Sequence, residues 1–182
     1  MRLRRIAEEI GEAVRIEPRS FLLRPYPVER GLEEFRAYTR SWLRPAADPD
    51  APTFRVWEGG AGPPSHSIPP HLVAKAAATL GAHAFDRMDS RLMQAYFAES
   101  RDITDPDTLR ALWREAGLPE AEFARSADPA LLRETIAQHN EALELGVNGV
   151  PAVRIEGHEG LVVGAQPVEV YRRWIERALG GA

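Results

Sequence analysis

The sequence predicts an α/β chain in which a small sheet carries a large all-helical middle. Three patterns predict it. Apolar residues at helical spacing near the start give way to a stretch that alternates apolar and polar side chains. A long series of helix starts and stops then fills the middle, and a hairpin pattern leads into a last amphipathic helix.

Leu3, Ile6, Ala7 and Ile10 recur at helical spacing, and Gly11 stands where a C-terminal cap belongs. Val14–Leu23 alternates at first and then turns apolar, which predicts a strand bent at Pro18, a residue that cannot donate to a ladder. Arg24-Pro25-Tyr26-Pro27 ends it. Leu32, Phe35, Tyr38, Trp42 and Leu43 fall on or near one face of a helix predicted over Leu32–Leu43, with Pro45 as its stop. From 45 to 68 the chain is rich in Pro, Gly, Ala and Asp and lacks a helical period. That predicts a long ordered loop around Phe54, Val56 and Trp57, a type of segment that is often functional.

Helix signals then follow one another. Pro69-Pro70 marks a start and Gly81 an end; Ala84–Ala98 carries Phe85, Met88, Leu92, Met93, Tyr96 and Phe97; Asp105-Pro106 opens a helix that Gly117 closes. Pro119 begins a short helix, and Asp128-Pro129 caps one that runs to about Leu145. Ala152–Ile155 and Leu161–Val163 read as hairpin strands around the turn Glu156-Gly157-His158-Glu159-Gly160. Pro167 sits in the first turn of a final helix reaching Leu179. The organisation expected is a core formed by 1–30 and 138–182, with 31–137 as a helical insertion holding the loop at 45–68.

A chain of 182 residues, 44% hydrophobic and 27% charged, can bury a sizeable core. Its net charge of -4 offers no general attraction to phosphate backbones or anionic lipid, so neither nucleic acid nor membrane is expected as a partner. Lys75 is the only lysine, an arginine bias that fits a GC-rich bacterial genome. No run approaches the roughly 18 apolar residues that span a bilayer, and the start has no apolar leader core. The expected location is cytoplasmic. With no cysteine, disulfides and thiolate metal sites are excluded, and His71, His83, His139 and His158 show no ligand spacing. No cofactor and no metal site are expected.

Gly146-Val147-Asn148-Gly149-Val150-Pro151, followed by the hairpin and then Gly164-Ala165-Gln166-Pro167, resembles the C-terminal signature of DsbA-like thioredoxin-fold proteins. The resemblance is to the branch that holds FrnE-type oxidoreductases and 2-hydroxychromene-2-carboxylate isomerases. Arg19-Ser20-Phe21-Leu22-Leu23-Arg24-Pro25 is similar to the second core strand of that family. Ala95-Tyr96-Phe97 and Arg101-Asp102-Ile103-Thr104-Asp105-Pro106 are similar to its helical insertion. The resemblance implies a thioredoxin-like fold and dithiol–disulfide exchange. It also implies a first strand ending in Cys-x-x-Cys, or in a serine-containing variant among the isomerases, at the head of the first helix, where exposed N–H groups lower a thiol pKa. This sequence starts inside that helix, so the N-terminal strand and the nucleophile are missing, no catalytic residue is assigned, and inactivity in exchange is expected. The strand at Val14–Leu23 and the one at Ala152–Ile155 are then expected not to be neighbours.

Other residues carry weaker indications. The resemblance implies that Pro151 is the family's cis-proline and that the backbone of Val150 binds substrate, an extended peptide or a small molecule, by β-pairing. Trp57, Ser65 and His66 could line a groove, although Trp57 more simply anchors its loop, and Ser65 beside His66 lacks an obvious orienting carboxylate. Two rival readings remain: an isomerase or glutathione-transferase-kappa-like enzyme with bound glutathione, and a non-catalytic binding module. A homodimer is compatible with each.

Overall fold

The computed structural model describes residues 2–47, 51–60 and 62–180; residues 1, 48–50, 61, 181 and 182, which include parts of the loop expected at 45–68, lie outside the described set. Contacts divide the chain into two units, Met1–Phe21 with Gln138–Ala182, and Leu22–Ala137.

In the first unit, α1 (Arg2–Ile10) packs against α8 (Val168–Gly180), and the hairpin of β1 (Ala152–Arg154) and β2 (Leu161–Val163) joins their core. Ile6 is fully buried against Val168 and Tyr171, with Leu3, Ile10, Val153, Val162 and Ile175 around them. The 3.6-residue period of α1 therefore has a partner face, and burial of that stripe, more than local propensity, holds so short a helix. Arg172 donates to Glu9 at 2.5 Å across the two helices. β1 and β2 are antiparallel, with Ala152 opposite Val163 and Arg154 opposite Leu161.

No strand forms over Val14–Leu23. Val14 has extended dihedrals, but the residues that follow make no ladder, and the sheet consists of β1 and β2 among the described residues. The physical reason lies in the donors. Pro18 has none, and the backbone N–H of the buried Ser20 goes to Gln138 Oε1 at 2.8 Å. A side chain thus satisfies a group that a neighbouring strand would otherwise take. The segment and β1 are not paired.

The second unit is all helical: α2 (Leu32–Thr39), α3 (Leu43–Ala46), α4 (Ile68–Ala78), α5 (Ala82–Phe97) and α6 (Pro106–Glu115), with α7 (Pro129–Glu144) beginning in it and ending in the first unit. Pro45 does not stop the chain at Leu43 as expected; a 3₁₀ turn at Arg40–Trp42 restarts it, and Pro45 falls within the first turn of α3, where its missing N–H costs nothing. Asp105 caps α6 by accepting the Thr108 N–H at 2.7 Å, and Asp128 accepts the Ala130 N–H at 2.8 Å at the head of α7. Glu120–Ala127, expected as a short helix, is a 3₁₀ segment. One core joins α4, α5, α6 and Leu131 of α7 around Met88, Leu112 and Trp113. A second gathers Phe35, Trp42 and Trp57, with Tyr96 and Phe97 packed against them.

Candidate functional site

The residues singled out from sequence fall in two places, one in each unit. In the first unit, α7 ends in a Schellman motif. The Val147 N–H reaches the Ala142 carbonyl and the Gly146 N–H reaches the Leu143 carbonyl, both at 2.9 Å. Gly146 has φ +82°, which only glycine adopts at little cost. The chain then turns through Asn148 and Gly149 to Val150–Pro151, whose peptide is cis. Pro151 accepts the Gly164 N–H at 2.8 Å, so the two sequence motifs are joined by one hydrogen bond. The Tyr171 hydroxyl donates to the Gly164 carbonyl and accepts the Gln166 N–H, both at 3.2 Å, which ties the second motif to α8. Val150 is 48% exposed beside this turn.

In the second unit, Trp57 sits inside the aromatic core. It is 1% exposed, packs edge-on against Phe35 at 5.1 Å between centroids, and donates its backbone N–H to Thr39 Oγ1 at 2.9 Å. Its position is that of an anchor. Gly59 follows so closely that an added Cβ would lie 2.5 Å from the Ser100 carbonyl. Ser65 Oγ and His66 Nδ1 do meet, at 2.9 Å, but among the described residues no carboxylate bonds to the imidazole. The pair therefore lacks the orienting group that nucleophilic activation uses. Its loop is instead stitched to the segment after Phe21: Val28 N–H to the Ser65 carbonyl at 3.1 Å, Ser67 N–H to the Arg24 carbonyl at 2.8 Å, and Arg24 N–H to Ser67 Oγ at 3.0 Å.

That stitching also places side chains that sequence reasoning did not single out. The Arg30 guanidinium lies over the rings of Tyr38 and Phe35, 5.2 and 5.6 Å from their centroids. Burial pushes the Tyr96 phenol up to about 12, and the charges of Arg24 and Arg30 oppose that rise. No local signal could have joined Tyr96 to these arginines, which lie more than sixty residues away in sequence. Among the described residues no group of three or more His, Asp and Glu side chains is placed to hold a metal ion.

Solved structures share this architecture. The chain has 21% identity to the cytosolic disulfide reductase DsbM from Pseudomonas aeruginosa, with a TM-score of 0.75, covering 100% of this chain and 91% of that one. The structure of DsbM with GSH aligns with a TM-score of 0.74 and 22% identity, covering 98% and 90%. At that identity the likeness shows the fold. A search of the curated proteins returns no match. Residues 67–176 match the DSBA-like thioredoxin domain, well over half of the chain, and they include α4–α7, the Val150–Pro151 turn and the hairpin. On that match the chain belongs to the DSBA-like thioredoxin family.

Proposed function

We propose that this chain is a DsbA-like protein that holds an extended peptide at the Val150–Pro151 turn and performs no thiol–disulfide exchange by itself. One observation carries the reading: the 182 residues contain no cysteine. Exchange proceeds by attack of a thiolate on a disulfide sulfur, and serine at neutral pH does not substitute for it. The binding part is supported by the edge of β1, which among the described residues pairs with β2 alone, and by the exposure of Val150 next to it. An unpaired edge offers backbone donors and acceptors to an incoming strand.

Dithiothreitol-driven reduction of insulin, followed by turbidity, is expected to show no rate above background. Titration with reduced, alkylated insulin B chain is expected to shift the backbone resonances of Val150 and Ala152–Arg154. Reductase activity in protein freed of contaminating thioredoxins, or shifts confined to other regions, overturns the reading.

A second reading, glutathione binding in an isomerase-like protein, draws support from the likeness to the DsbM structure with GSH. Calorimetric titration with reduced glutathione separates the two. A cytosolic location is proposed on the same comparison, supported by the absence, among the described residues, of any helix long and apolar enough to cross a membrane. Nucleic acid is not proposed as a partner, given the net charge of -4.

A further inference from the structure

We propose that the groove between α5 and the C-terminal end of α6 binds a free α-amino acid by its ammonium and carboxylate groups. The groove lies wholly within the second unit and is independent of the peptide reading above.

Its walls come from two helices. Asp86, Ser90 and Gln94 repeat every four residues along α5, Arg87 and Arg91 form the adjoining row, and Glu115 closes the far side from the last turn of α6. The space between them is about 460 Å³. That lies within the roughly 300–1,000 Å³ of small-molecule sites.

The lining is polar and balanced, with two carboxylates, Asp86 and Glu115, and two guanidinium groups, Arg87 and Arg91. A lone anion or a lone cation in such a groove meets a repelling pair for every attracting one. A ligand that carries both signs meets attraction from both. The spacing of unlike charges is short, since Arg91 Nε donates to Glu115 Oε2 at 2.7 Å. An α-amino acid carries its two charges on one carbon, which suits walls whose own charges alternate at contact distance.

The groups on offer are specific. Arg87 is exposed and makes no ion pair among the described residues, so its guanidinium is available to a carboxylate. Arg91 gives Nε to Glu115 and Nη2 to Glu99, while its Nη1 is buried without an acceptor. A carboxylate oxygen seated against Nη1 supplies that acceptor. For the ammonium, Asp86 and Glu115 provide acceptors, and α6 ends at Glu115, where its last carbonyls hold the negative end of the helix dipole. Arg101 Nη1 reaches both Glu115 oxygens, at 3.0 and 2.9 Å, and so fixes that carboxylate in place.

A ¹H–¹⁵N NMR titration of the intact chain at neutral pH and constant ionic strength tests this with three probes: glycine, acetate and methylammonium. Glycine is expected to give saturable shifts at the amides of Ser90, Arg91 and Gln94, and acetate and methylammonium to bind at least about threefold more weakly. R87M, which removes a side chain without a bond to lose, and D86N are each expected to weaken glycine binding by about threefold. R114M, an exposed arginine of α6 outside the groove, should leave it unchanged. Three results overturn the proposal: no saturable shift with glycine, acetate or methylammonium binding as tightly as glycine, or a dissociation constant for glycine unchanged in either R87M or D86N.

Discussion

Replacing Thr39 with valine tests the claim that one hydroxyl holds the Trp57 loop on α2. Thr39 is 0% exposed; its Oγ1 accepts the Trp57 N–H at 2.9 Å and donates to the Arg36 carbonyl at 3.0 Å. Valine keeps the branched shape and removes the acceptor. The Trp57 N–H, attached to a residue that is 1% exposed, is then buried without a partner. Such an orphan costs about 1–3 kcal/mol, whereas a hydrogen bond exchanged freely with water would cost about 1. Taking about 2 kcal/mol, the melting temperature of a chain of this size falls by roughly 4–8 °C. Circular dichroism at the helix band gives that shift. Hydrogen exchange at the Trp57 amide gives the cause, since T39V should lose protection there and T39S, which keeps the hydroxyl, should retain it. A T39V midpoint within about 1 °C of the parent, with the Trp57 amide still protected, would refute the reasoning, because it would mean that water or another group reaches the donor.

Two further outcomes follow from the insertion. Asp105→Ala removes the cap of α6 and is expected to cost about 1 kcal/mol in urea unfolding, with Asp105→Asn costing much less. In acid, the ion-pair network around Glu115 should weaken the unit. Burial raises the Glu115 carboxyl, but hydrogen bonds from Arg91 and Arg101 outweigh it and hold the group below the usual carboxylate range, and the bond from Thr108 does the same for Asp105. A depressed folded pKa contributes stability that is complete above the unfolded value, about 4, and is lost as pH falls through the folded one. Urea midpoints should therefore hold steady from pH 7 to about 5 and fall below about 4, with a shallower fall in E115Q.

The helices were legible because their signals are local. Asp105-Pro106 with Gly117 names a start and a stop, and Asp128-Pro129 names a start, and the two helices begin where these signals stand. The hairpin was legible for the same reason. Val14–Leu23 was misread because alternation reports which side chains face inward and says nothing about whether another backbone is beside the segment. Ser20 is buried as the pattern asks, yet its donor is met by Gln138 from α7, a residue whose role no local window contains. The site divides along the same line. Trp57 was legible as an anchor, since a large aromatic in a polar loop has somewhere to be buried. The opposition of the Arg24 and Arg30 charges to the rise at Tyr96 was not, since those residues lie more than sixty positions from it in sequence.

The turn at Val150–Pro151 bears on how much a retained motif says about retained chemistry. The bonds that shape it are made by backbone or by Tyr171: the Schellman bonds behind it, the Gly164 N–H to Pro151, and the Tyr171 hydroxyl on Gly164. None involves a residue that would carry electrons. The turn is thus stable for reasons unconnected with redox, and its presence cannot be used to argue that redox activity persists. What the turn does require is the α1 and α8 pairing that buries Tyr171, and this pairing rests on the apolar stripe of Ile6, Val168 and Ile175. That stripe and the two glycine-containing motifs stand in a sequence without cysteine, so the forces that hold the turn are separable from redox chemistry.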